Sequence, residues 1–174
     1  YTNPNATAMK DLQPIAFIGS DSGALEARAS TGFKTVADFV KAAKEKPGSI
    51  KNGNDQPGGS SYIVIAVIEK ALGLKVTRVP YQGYAPTVAA LLAGEVDTAT
   101  VPVPDAIEHH KSGKIRILGI ADDQRHFMAP DVPTFKEQGF DVNIGSWRSM
   151  IGPRGIPKAR LDYLEEKFLA TLKD

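Results

Sequence analysis

Cysteine is missing from all 174 residues, which excludes a disulfide framework and any thiolate metal site. That absence suits an envelope protein and equally many cytosolic ones. Neither sign of charge is in surplus. Lys and Arg total 21 against 20 Asp and Glu, a net charge of +1. No basic excess points to nucleic acid or an anionic membrane. No run reaches the apolar length of a membrane span, so no membrane insertion is expected. Histidine is scarce, and Glu108-His109-His110 lacks the i, i+4 spacing that places two imidazoles on one ion. Adjacent side chains on a helix diverge by roughly 100°. These histidines read as a solvated helix end suited to the dipole, and His126 is equally isolated. No metal and no cofactor is expected. The chain starts at Tyr1 with neither an initiator Met nor a signal peptide, and is expected to be an interior piece whose targeting segment is already gone.

What is present is a globular composition, 42% hydrophobic and 24% charged, enough for one ordinary domain or two small lobes. Gln13 to Gly19 reads as a strand, "SDSG" as a turn, and Ala24 to Ala29 as a weaker strand. Thr35 and Asp38 form a T-x-x-D capping box opening a helix over Val36 to Glu45, which Pro47-Gly48 closes. Ile50 to Asn52 is a short strand candidate. The run after Ser60-Ser61 is rich in β-branched residues. Its length and the stop at Gly73 predict a helix rather than a strand. Further along, strands are predicted at Lys75 to Val79, Glu95 to Val101 and Lys114 to Ala121, and helices from Pro86 to Gly94 and from Pro104 to Lys111. The alternation reads as a parallel sheet wrapped by helices. A short helix from Thr134 to Gly139, a strand over Val142 to Ile151 and a helix opened by Pro157 follow. That last helix carries a stripe of Leu161, Leu164, Phe168, Leu169 and Leu172.

Two lobes are the natural division: residues 1–32 as part of lobe 1, 33–119 as a complete α/β lobe 2, and 120–174 returning to lobe 1.

The chemistry candidates cluster in loops. Gly58-Gly59-Ser60-Ser61 stands before a helix. A nucleophile elbow needs G-x-S-x-G, and here Tyr62 replaces the last glycine. A P-loop needs G-K-[ST], and no lysine is near. What remains is a helix N-terminus with unsatisfied N–H groups and hydroxyls, read either as a plain cap or as a grip for an anion such as a carboxylate. The loops Val79 to Pro86 and Val101 to Asp105 follow strands and should converge beside it, since such loops line the crevice of open α/β sheets. Tyr81 reads either as a hydroxyl donor to a ligand or as a surface residue beside Pro80. Trp147-Arg148 pairs the sole Trp with a guanidinium able to hold an anion through two bonds, or anchors a second lobe.

Several stretches then line up: "VPYQG", "LLAGEVDTATV", "HHKSGKIRILGIA", "APDVPTFKEQGFDV" and "SWRSMIGPRGIPK". In this order and spacing they resemble the solute-binding proteins of the tripartite tricarboxylate transporter, the Bug or TctC family, over nearly the whole chain. The resemblance implies a type II periplasmic-binding-protein-like α/β fold of two lobes closing on a small organic carboxylate, one lobe being incomplete here. It implies no covalent chemistry, a periplasmic location, and delivery of a di- or tricarboxylate to the transporter's membrane subunits. It makes Gly58, Gly59, Ser60, Ser61, Tyr81, Pro102, Trp147 and Arg148 the expected ligand contacts. "ALEARA" and "RILGIA" resemble the two strands crossing between lobes. "VPVPD" departs from the family, which commonly offers Ser or Asn there. The family's N-terminal strand, the ligand loop after it and the end of the last lobe are not matched. Rival readings are the ligand-sensing domain of a transcription regulator and a hydrolase using Ser60.

Overall fold

A computed structural model describes residues 9–172 and divides the chain into two compact units, residues 1–20 with 147–174, and residues 21–146. The larger unit is wider than residues 33–119, because 21–32 and 120–146 pack into it. Phe135, fully buried, shares a core with Val36 and Phe39.

The first strand, β1 (Leu12–Arg28), runs unbroken through the "SDSG" stretch expected to turn. Its first half lies in the smaller unit and its second half in the larger. Helix α1 (Val36–Glu45) opens on the predicted box: Asp38 N–H donates to Thr35 Oγ1 at 3.2 Å, and Thr35 N–H to Asp38 Oδ2 at 3.0 Å. Then come β2 (Lys51–Asn54), α2 (Ser60–Leu72), β3 (Thr77–Pro80), α3 (Tyr84–Ala93), β4 (Thr98–Ala99), α4 (Val103–Lys111) and β5 (Ile115–Ala121). The run after Ser60 is therefore a helix, ended by Gly73 in the left-handed region at φ 61°.

The sheet order is β3-β2-β4-β1-β5. Strand β2 pairs parallel with β3 and with β4, as helical crossovers require. The expected parallel arrangement holds for β2, β3 and β4, and one strand of the sheet runs against its neighbours. β1 is inserted between β4 and β5 and runs antiparallel to both. It arrives from outside the βαβ series, so no crossover helix fixes its direction.

Alternation along β1 sends Leu25 and Ala27 into one core, with Phe39, Ile65 and Ile68 from α1 and α2. Ala24 goes to the opposite face, with Val103, Ile107, Ile117 and Ile120. A further cluster joins Val88 and Leu91 of α3 to Val96, Ala99 and Val101.

Two further expectations change. Thr134 and Glu137 make reciprocal bonds, Glu137 N–H to Thr134 Oγ1 at 3.0 Å and Thr134 N–H to Glu137 Oε2 at 2.8 Å, yet no helix follows. Gly139, at φ 84°, ends the segment after one turn. The second passage between units is β6 (Gly145–Pro153), which pairs with β1, and not "RILGIA", which is β5 and lies wholly in the larger unit.

In the smaller unit, α5 (Lys158–Thr171) half-buries Leu161, Leu164 and Phe168 but leaves Leu169 and Leu172 exposed, so the predicted stripe is covered only along its first part. Among the described residues no helix is long and apolar enough to cross a membrane.

Candidate functional site

The loops after β2, β3 and β4 end on one edge of the larger unit's sheet, where parallel strands present their carboxyl ends. A small cleft, with about 230 Å³ of space that is partly open to solvent, lies there. Its walls are Ser60, Ser61 and Val64 of α2, Tyr84 at the start of α3, and Thr100 to Pro102 after β4. Asp21 to Ala24 of β1 and Gly145-Ser146 complete it. Among the described residues no lysine, arginine or histidine lines the pocket. Its donors are hydroxyls and backbone N–H groups.

Buried polar side chains join β2 and β4 to each other and to α2. Asn52 Nδ2 donates to Thr98 Oγ1 at 3.1 Å, and Asn54 Nδ2 to the Asn52 carbonyl at 3.0 Å. Thr100 Oγ1 donates to the Ser61 carbonyl at 2.9 Å, tying the first turn of α2 to the end of β4. Gly23 permits a close approach: a Cβ there would stand 2.7 Å from the Ile144 carbonyl and 2.8 Å from Val64.

The N-terminus of α2 has an occupant of its own. Asp55 Oδ1 accepts the Tyr62 N–H at 2.8 Å, and Oδ2 stands 3.4 Å from the Ser61 N–H. Ser61 Oγ in return accepts the Asp55 N–H at 2.7 Å. A protein carboxylate thus takes the place where a ligand's carboxylate was expected. The helix is capped neither by Ser60 nor by Ser61. Gly59 is the N-cap residue, and a Cβ on it would lie 2.3 Å from the Asp55 carboxylate.

The expected contact residues separate accordingly. Ser60, Ser61 and Pro102 line the pocket. Ser60 Oγ is hydrogen-bonded to Tyr84 Oη. Gly58 turns the loop at φ 93° and is not part of the wall, and neither is Gly59. Tyr81 is directed elsewhere, its hydroxyl donating to Glu95 Oε2 at 3.3 Å. Partial burial, then the Glu95 carboxylate, raise the Tyr81 phenol above its ordinary range. Tyr84, three residues on, supplies the phenol to the pocket instead. Trp147 and Arg148 stand on β6 in the smaller unit, where Trp147 is exposed beside Leu12, Pro14 and Phe17.

Sequence reasoning missed Asp55, Tyr84, Ser22, Thr100 and Glu26. Tyr84 was signalled by its place between Gly83 and Pro86 at a helix start. Asp55 was not, since it reaches over six residues to its partners. Ser22 donates to Asp122 Oδ2, a hundred residues away in the chain.

The chain matches the model of the family described as "Tripartite tricarboxylate transporter family receptor" over residues 1–174. A UPF0065 protein of Bordetella pertussis is 31% identical over 156 residues, which is 88% of this chain and 48% of that protein. A TctC solute binding protein from Polaromonas superposes with a TM-score of 0.84 at 28% identity, covering 98% of this chain and 58% of the other. MatC from Rhodopseudomonas palustris with bound malate superposes with a TM-score of 0.82 at 25% identity, over 97% and 59%. The chain therefore spans about half the length of the curated relatives it matches.

Proposed function

This chain belongs to the tripartite tricarboxylate transporter receptor family, and from that premise we propose that it is a periplasmic solute-binding protein. It captures a small organic di- or tricarboxylate, citrate-like or malate-like, and delivers it to the membrane subunits of such a transporter without covalent chemistry. The observation that carries the reading is the pocket at the strand ends, walled by hydroxyls and backbone in a chain whose structural neighbour holds malate.

The hydroxyl pair Ser60 and Tyr84 is the natural ligand partner in the larger unit. Each group can both donate and accept, so the pair can re-form around a carboxylate oxygen or a ligand hydroxyl. Arg148 is assigned to a carboxylate on chemical grounds, because a guanidinium offers two parallel donors. Trp147, Tyr81 and the glycines Gly58 and Gly59 are assigned no direct contact with the ligand.

The hydrolase reading is not favoured. Ser60 is bonded to a phenol, and among the described residues no histidine lines its pocket. A serine nucleophile needs a base within hydrogen-bond reach.

Calorimetric titration of the protein with malate, citrate and adipate tests the proposal. Saturable binding of at least one is expected. Failure of all three, with the protein folded by circular dichroism, would refute it.

A further inference from the structure

Glu26 is the one residue of charged type that is buried among the described residues, with no exposed surface. It lies on β1 opposite Ala99 of β4 and Ile117 of β5. Its face is that of Ala24, which lines the pocket two residues before it. Glu26 Oε2 accepts the Val101 N–H at 3.2 Å. Oε1 has no hydrogen-bond partner. Val101 and Pro102 form one wall of the pocket, and Pro102 is also the N-cap residue of α4. The bond from Val101 therefore stands where β4 turns into α4.

We infer that Glu26 is a positioning residue for the pocket, holding the Val101–Pro102 wall in place through the Val101 N–H. The inference rests on reading that pocket as the ligand site.

Burial holds the Glu26 carboxyl group well above the usual carboxylate range. The N–H groups of Val101 and of Glu26 itself oppose that effect, and Asp105 in the first turn of α4 adds to it. The other charged groups on the surrounding elements are engaged elsewhere. Arg28 on β1 pairs with Asp97, and Lys111 on α4 pairs with Glu108. His110 faces Ile117 and Asp131, and Arg116 on β5 is exposed. An ionised carboxylate needs donors at both oxygens, and here Oε1 has none. Ionisation therefore favours conformations in which the wall lifts and water reaches Oε1.

The sign follows from linkage. The folded state binds the proton more tightly than the unfolded chain does. The contribution is thus complete below the ordinary glutamate range and is lost as pH rises toward the raised folded value.

The test compares the protein with its Glu26→Gln and Glu26→Leu variants by amide hydrogen exchange at Val101, from pH 5 to 9, corrected for intrinsic exchange. Glu26→Gln keeps a neutral acceptor. It should retain Val101 protection across the range, whereas the unsubstituted protein should lose protection relative to it as pH rises. Glu26→Leu removes the acceptor and should lower Val101 protection roughly tenfold while distant helices such as α1 keep theirs. Equal protection in the Leu and Gln variants would overturn the positioning role. Should Glu26→Leu not fold, the Gln comparison still decides, because identical pH profiles for it and the unsubstituted protein would overturn the inference. A parallel malate titration separates the two readings: absence of malate binding counts against the ligand, and the exchange result stands on its own.

Discussion

The carboxylate of Asp55 accepts the backbone N–H of Tyr62 at 2.8 Å, so the positive end of α2 is neutralised by the protein's own anion. This has a consequence for stability and a consequence for the ligand. Asp55→Ala should destabilise the protein by about 1 kcal/mol, as loss of a helix cap does. The same change uncovers the N–H groups of Ser61 and Tyr62 beside the pocket. Malate binding should tighten, or at least not weaken, in Asp55→Ala. Urea denaturation and calorimetry check the two effects, and a large loss of affinity would show that Asp55 itself serves the ligand.

Ser60 and Tyr84 should behave as one unit. Removing either hydroxyl, by Ser60→Ala or Tyr84→Phe, is expected to weaken carboxylate binding by about 0.5–1.5 kcal/mol. The double variant should lose less than the sum, because each hydroxyl is the other's partner. Full additivity in a titration series would mean that they meet the ligand independently or not at all.

Arg148 is tested by its geometry of donation rather than by its charge. Arg148→Lys keeps the charge and loses the fork. A dicarboxylate should then bind about tenfold more weakly, by loss of a charge-assisted bond. A monocarboxylate of the same skeleton should change little. Equal losses for both ligands would assign Arg148 to folding.

Thr100 joins the end of β4 to α2 through the Ser61 carbonyl. Thr100→Val is nearly isosteric but leaves that buried carbonyl without its hydroxyl. A loss of about 1–3 kcal/mol in unfolding free energy is expected. Thr98→Val, whose hydroxyl receives the Asn52 amide at 3.1 Å, is the internal comparison, and should cost a similar amount through the orphaned Asn52 donor.

Local features of this protein were legible in the residues alone. Thr35 and Asp38 announced α1 because a capping box is closed within one turn of chain. The run after Ser60 declared a helix because its length exceeds a strand and Gly73 supplies the left-handed stop. Convergence of the Ser60, Tyr84 and Pro102 loops followed from the alternation of strands and helices, since that order places strand ends on one edge. What tertiary structure decided was everything set by long-range partners. β1 sits antiparallel between β4 and β5, although nothing in its own residues encodes the neighbours it finds. The 134–139 segment carries a capping pair and still makes a single turn, because Gly139 stops it before a helix can repay its nucleation. The occupant of the α2 terminus was decided by the fold of the Asp55 loop, and the burial of Glu26 by the strands and helix that close over it. Hydrogen bonds made within a turn can be read along a chain, whereas those made across it exist only once the chain has packed.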